Sequence, residues 1–189
     1  MMALVVFTGG ARSGKSAAAS RLAESHGSAV VVAVAGVAVD DTEMAARIEQ
    51  HRADRPSAWT TMEVAGLPIA EWLPAVPAGA VLLLDCLGTL LSDVLWGDGK
   101  QLTDETEAET LAHALTDALA ARAGDTIIVT NEVGMGVVPV STSGRLFRDV
   151  LGRANARLVA HADAAYLVVC GHSIDLCAAP TDPVWPTHE

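Results

Sequence analysis

The octet Gly9-Gly-Ala-Arg-Ser-Gly-Lys-Ser16 has the form G-x-x-x-x-G-K-S; it follows the apolar run Leu4-Val-Val-Phe-Thr8 and opens a helical pattern from Lys15 to Ser25. Strand, glycine-rich turn and helix in that order leave few folds open, because the turn belongs at the carboxyl end of a strand buried in an α/β sheet. Glycines let successive backbone N–H groups converge on phosphate oxygens, and the helix N-terminus adds its partial positive charge. In such a loop Lys15 bridges the β- and γ-phosphates and Ser16 ligates Mg2+. Gly9, Gly10, Ala11, Arg12, Ser13, Gly14, Lys15 and Ser16 are therefore candidate nucleotide-binding residues. A glycine-rich turn without a ligand is the competing reading of the same letters.

The remaining chain alternates short β-rich runs with longer helical patterns, as a parallel sheet wrapped by crossover helices requires. Strands are expected at Leu4 to Thr8, Ala29 to Val34, Ala58 to Glu63, Val81 to Asp85, Thr126 to Thr130 and Ala165 to Cys170. Three of them, around Val5, Leu83 and Ile128, are apolar at successive positions and suit the centre of a sheet covered on both faces. Helices are expected at Lys15 to Ser25, Thr42 to Arg52, Leu87 to Trp96, Asp104 to Ala123 and Arg145 to Ala160, with Thr103 as an N-cap and Gly124 closing the fourth.

A chain of 189 residues suggests one domain. Its expected limits are 1–171, followed by an irregular tail, 172–189, rich in proline. Twelve Lys and Arg against 23 Asp and Glu leave a net charge of −11, which repels phosphate backbones and anionic lipid, so nucleic acid is not an expected partner. The longest apolar stretch, Ala29 to Val39, is about half of the ~20 residues a membrane span needs. Three cysteines, Cys86, Cys170 and Cys177, show no paired spacing and read as reduced thiols.

A phosphate-binding loop works with an acidic residue at the end of another central strand, and Asp85 closes the Val81 to Leu84 run in that manner. Glu132, after the strand ending at Thr130, is a second metal candidate, and a solvated surface Asp is the bland reading of Asp85. His51 stands among Arg47, Arg52 and Arg55. A neutral imidazole can attack phosphorus while guanidinium groups neutralise the phosphate, although an exposed helical histidine fits the same residues. Arg145, Arg148, Arg153 and Arg157 form either a solvated face or substrate and subunit contacts.

Five blocks carry a resemblance to a known family. They are Thr8-Gly-Gly-Ala-Arg-Ser-Gly-Lys-Ser16; the stretch from Asp40 through His51 to Pro56; Leu82-Leu-Leu-Asp-Cys-Leu87; Thr130-Asn-Glu-Val-Gly-Met-Gly-Val-Val-Pro139; and Phe147-Arg-Asp-Val-Leu-Gly-Arg-Ala-Asn-Ala-Arg-Leu158. In this order the chain resembles the bifunctional adenosylcobinamide kinase/adenosylcobinamide-phosphate guanylyltransferases of cobalamin biosynthesis. It departs from the family pattern at Val34-Ala-Gly36, at Thr42 and at Gly88, where a threonine is frequent.

The resemblance implies a cytoplasmic, homotrimeric enzyme with a RecA-like fold, built as a P-loop NTPase with a mostly parallel central sheet. It implies ATP or GTP as phosphoryl donor to adenosylcobinamide, and GTP as source of the GMP passed to adenosylcobinamide phosphate through a guanylylated His51. By the same carry-over Val34, Ala35, Gly36, Arg52, Ala53, Asp54, Arg55, Glu63 and Asp85 line the nucleotide site, His51 and Lys15 are catalytic, and Ser16 and Asp85 hold Mg2+. A P-loop kinase of another small molecule is one alternative. A nucleotide-dependent switch is another, against which stands Glu132 after Asn131, where a guanine-reading N-K-x-D motif has lysine.

Overall fold

The computed structural model describes residues 2–36, 55–99 and 102–182. Its elements run β1 (Leu4–Thr8), α1 (Lys15–Ser25), β2 (Val30–Val34), β3 (Thr60–Glu63), α2 (Ile69–Trp72), β4 (Val81–Asp85), α3 (Leu87–Trp96), α4 (Glu105–Ala120), β5 (Thr126–Val129), α5 (Thr142–His161), β6 (Ala164–Val169) and β7 (His172–Asp175). One sheet contains all seven strands in the order β3-β2-β4-β5-β1-β6-β7. Every pairing is parallel except β6 with β7. This is the mostly parallel, helix-flanked P-loop architecture expected from the sequence.

Alternation along the central strands splits the core into two layers. Val6, Leu82, Leu84 and Ile128 face one side, where Leu87, Leu91, Leu115, Leu151 and Leu158 of α3, α4 and α5 cover them. Phe7, Leu83, Ile127 and Val129 face the other, where α1 lies close because it presents Ala18, Ala19 and Ala23. Strands so enclosed carry no polar face, which is why β1, β4 and β5 were readable as continuous apolar runs.

At the amino edge of the sheet the buried Arg122 clasps two connections. One terminal nitrogen donates to the Asp125 carbonyl at 3.0 Å and to Thr126 Oγ1 at 3.3 Å. The other donates to the carbonyls of Pro77 at 2.8 Å and Ala80 at 3.1 Å. These bonds join the segment entering β4 to the segment entering β5.

Several expectations need correction. Asp104, not Thr103, caps α4, its carboxylate accepting the Glu107 N–H at 2.8 Å. Gly124 does not close that helix, which ends at Ala120; its φ of +130° serves the following turn, where a Cβ would stand 2.5 Å from the Ala78 carbonyl oxygen. Helix α5 starts at Thr142, three residues early, because the Ser141 hydroxyl accepts from Gly144 N. His172–Asp175, assigned to an irregular tail, forms β7: Leu167 and Val168 of β6 still have a free edge to pair, and Ile174 and Ser173 fill it.

The arginines of α5 face acidic side chains rather than an open anion site. Arg153 pairs with Glu105 and Glu109, Arg157 with Asp117, and Arg148 with its neighbour Asp149. Arg145 instead donates to the carbonyls of Pro139 and Val140. The helix expected over Thr42 to Arg52 lies outside the described residues. Among the described residues no helix is long and apolar enough to cross a membrane.

Candidate functional site

The parallel strands end together at one edge, and the octet Gly9 to Ser16 sits there between β1 and α1. Gly9 passes so close to β6 that a Cβ would meet the Val168 carbonyl oxygen at 2.5 Å and Ser13 Oγ at 2.8 Å. Arg12 at φ +57° and Gly14 at φ +96° take left-handed conformations, which turn the backbone toward a concavity of the anion-binding kind. The loop rests on the β6–β7 turn: Gly171 N donates to the Ser13 carbonyl at 2.8 Å, and a Cβ on Gly14 would stand 3.2 Å from Gly171 Cα.

Lys15 is buried at the start of α1 with its ammonium donating to the Gly10 carbonyl at 3.1 Å. Burial lowers its pKa from the usual lysine range, opposed by the neighbouring Cys86 and Asp85. The Ser16 hydroxyl donates to Asp85 Oδ1 at 3.2 Å, so the last residue of the octet meets the carboxylate that ends β4. Hard oxygens of a hydroxyl and a carboxylate at that separation fit the donor class Mg2+ prefers, with phosphate oxygens and water completing its shell.

Other expected residues are distributed along the same edge. Val34 ends β2; its carbonyl accepts from Val64 N at 2.9 Å, and the buried Ala35 and exposed Gly36 follow it. Glu63 is exposed at the carboxyl end of the outer strand β3. Four strand spacings of about 4.8 Å put β3 roughly 19 Å along the sheet from β1, a distance on the scale of an extended nucleotide. Arg55 lies beside β3, where it donates to Thr61 Oγ1 at 3.3 Å. His51, Arg52, Ala53 and Asp54 fall outside the described residues.

Glu132 is spent on its own turn: its carboxylate accepts from Gly134 N at 2.8 Å and Met135 N at 3.0 Å. That local capping withdraws it from the metal role considered for it. Its backbone N–H donates to the Gly9 carbonyl at 3.0 Å, which ties the end of β5 to the first glycine of the octet.

A family model described as cobinamide kinase / cobinamide phosphate guanyltransferase matches residues 5–176. The chain belongs to this family. It is 35% identical over 182 residues to the bifunctional adenosylcobalamin biosynthesis protein CobU of Escherichia coli strain K12, covering 92% of this chain and 99% of that protein. It is 36% identical over 172 residues to the bifunctional adenosylcobalamin biosynthesis protein CobP of Pseudomonas aeruginosa strain PAO1, covering 91% and 96%. A solved structure from Pyrococcus horikoshii OT3, titled a structural study of PH0250, shares the fold with a TM-score of 0.52 at 9% identity, over 92% of this chain and 85% of that one.

The reactions of the family are cobinamide phosphorylation and guanylyl transfer to cobinamide phosphate. Reading the sequence missed a polar group at the same edge. Thr130, Asn131 and Asn155 form hydrogen bonds behind the octet, and Cys86 Sγ shares one with Thr89 Oγ1 at 3.1 Å. Asn131 follows an apolar strand just as Asp85 does, so the strand-end rule that selected Asp85 could have selected Asn131 too.

Proposed function

We propose that this enzyme carries out both reactions of its family at the carboxyl edge of one sheet, with residues 1–171 and the β7 hairpin acting as a single catalytic domain. The observation that carries the reading is the meeting of Lys15, Ser16 and Asp85 at the mouth of a left-handed, glycine-rich loop. ATP or GTP places its phosphates on the backbone N–H groups from Gly9 to Ser16, and Lys15 leaves the Gly10 carbonyl to bridge the β- and γ-phosphates. Ser16 and Asp85 hold Mg2+, which supplies neutralisation of triphosphate charge.

In the first reaction a hydroxyl oxygen of adenosylcobinamide attacks the γ-phosphorus. A new P–O bond forms, the β–γ bridging bond breaks, the nucleoside diphosphate leaves, and the hydroxyl proton passes to solvent. In the second, an imidazole nitrogen of His51 attacks the α-phosphorus of GTP; the P–N bond forms as the α–β bridge breaks and pyrophosphate departs. An oxygen of adenosylcobinamide phosphate then displaces the histidine, giving adenosylcobinamide-GDP and free His51. Arg52 to Arg55, Val34 to Gly36 and Glu63 line the nucleotide.

The resemblance of the five sequence blocks supports this division of labour, and also supports a homotrimer working in the cytoplasm. The test is product analysis with adenosylcobinamide, ATP, GTP and magnesium, together with intact-mass measurement after GTP alone. We expect adenosylcobinamide-GDP, and an acid-labile GMP adduct absent from His51→Ala. Active protein that forms no adduct overturns the histidine route; absence of any cobinamide product overturns the reading as a whole. Light scattering of the purified protein decides the trimer.

A further inference from the structure

At the carboxyl end of β5 the Asn155 side chain, with no role so far, reaches the backbone of a second asparagine, Asn131. Asn155, on α5, accepts a hydrogen bond from the Thr130 hydroxyl at 2.7 Å and donates one to the Asn131 carbonyl at 3.0 Å. Thr130 is fully buried, so its hydroxyl depends on that partner. On its other side the same segment is bonded to the strand that carries the phosphate loop: Thr130 N donates to the Phe7 carbonyl at 2.8 Å and Glu132 N to the Gly9 carbonyl at 3.0 Å. The backbone of residues 130–132 is therefore held from the helix layer and from β1 at once.

This clamp sets where the Asn131 side chain goes. Its Nδ2 lies 3.9 Å from Cys86 Sγ and 3.2 Å from where a Cβ on Gly88 would stand. Cys86 directly follows Asp85, and both are charge neighbours of the Lys15 ammonium. Because β5 is inserted between β1 and β4, the backbone of residues 130–132 follows the strand that lies between the one carrying the loop and the one ending at Asp85. A long contact to sulfur is a weak use of an amide that offers two N–H groups and an acceptor. The half-buried Asn131 keeps that donor capacity in hand at the edge where phosphate would sit.

We propose that Asn131 is a catalytic hydrogen-bond donor to the transferring γ-phosphoryl group, and that Asn155 is the positioning residue that aims it. The inference rests on the reading that the Gly9 to Ser16 loop takes the triphosphate. A neutral donor fixed in advance stabilises charge that spreads over the equatorial phosphoryl oxygens, without reorganising during the reaction. Guanylylation breaks the bond at the α-phosphorus and releases β- and γ-phosphates together, so a donor at the γ-position matters less there. Asn131 thus separates the two half-reactions.

The test is steady-state kinetics of both half-reactions in the full-length protein, with affinity for a non-hydrolysable triphosphate measured in parallel. Asn131→Ala is expected to lower kcat for phosphorylation by about 100-fold, the scale of losing one oxyanion donor. The KM for nucleotide should move less than threefold, and guanylyl-enzyme formation should lose at least ten times less than phosphorylation does. Asn131→Asp keeps the shape but faces phosphate with an acceptor, so it should be slower than Asn131→Ala; a packing role predicts the reverse. Asn155→Ala should lower phosphorylation about tenfold and add nothing further once Asn131 is alanine. Equal loss in both half-reactions, an unchanged kcat, or additive effects of the two asparagines would overturn the inference. Wild-type protein without phosphorylation activity would instead sink the functional reading beneath it.

Discussion

Ser16 and Asp85 are 69 residues apart in sequence, yet the serine hydroxyl donates to the aspartate across 3.2 Å. The contact joins the loop after β1 to the end of β4, with β5 between the two strands. Asp85→Asn preserves the size of that side chain and removes its charge. We expect rates of both half-reactions to fall about 10- to 100-fold, as when a supporting ligand at a metal site is altered. The magnesium concentration giving half-maximal rate should rise; an unchanged magnesium dependence would remove Asp85 from the metal site.

Lys15 carries an opposing pair of demands, because burial disfavours the charge that phosphate binding uses. Its pKa is lowered in the folded protein, so below that value both folded and unfolded chains hold the proton and the burial cost is present in full. Between the lowered value and the ordinary lysine pKa only the unfolded chain holds it, and unfolding free energy rises with pH. Lys15→Met should raise the apo-protein Tm by about 1–3 °C near pH 7 and abolish triphosphate-dependent turnover. The stability gap between variant and wild type should narrow as pH rises toward the ordinary lysine pKa, read in urea titrations.

Neighbouring glycines of the octet should respond differently to alanine. At Gly9 a Cβ collides with the Val168 carbonyl oxygen at 2.5 Å, whereas at Gly10 nothing lies within 4 Å. Gly9→Ala is expected to cost about 2 kcal/mol or more through forced displacement of β6 or the loop. Gly10→Ala should stay within about 0.5 kcal/mol of wild type. Denaturant midpoints of the two variants check this, and equal midpoints would contradict the close approach to β6.

Arg122 satisfies the carbonyls of Pro77, Ala80 and Asp125 from a buried position at the edge away from the phosphate loop. Arg122→Ala removes the donor shared by the two connections and opens space between them, the Pro77 carbonyl keeping only Ala80 N and the Asp125 carbonyl only Leu82 N. A loss of about 3 kcal/mol in unfolding free energy is expected. Turnover at 20 °C should be retained, since the clasp is remote from Lys15. Arg122→Lys should recover only part, because one ammonium cannot span two connections that a planar guanidinium joins.

Much of this arrangement was legible before any coordinates. Lys15–Ser25 and Leu87–Trp96 form as expected because an apolar face runs through each. β1, β4 and β5 were readable because burial on both faces suppresses polar residues. The phosphate loop and Asp85 came from the rule that ligands gather at carboxyl ends of parallel strands. Strand order is not legible, since nothing local in Thr126–Val129 says that it inserts between β1 and β4, and so Asn131, read only within a family block and against the N-K-x-D motif, has no place beside Asp85 in the sequence reading. His172–Asp175 offers no apolar alternation of its own and becomes a strand through the open edge of β6. The arginines of α5 were ambiguous because their partners Glu105, Glu109 and Asp117 belong to α4, whose packing against α5 is a tertiary fact.

The support of Ser13 and Gly14 by Gly171 has a consequence for biosynthesis of the chain. The octet leaves the ribosome well before the turn that braces it, which follows β6. A nascent chain stalled before β6 lacks that brace, and its phosphate loop should take up triphosphate more weakly than the loop of the finished fold.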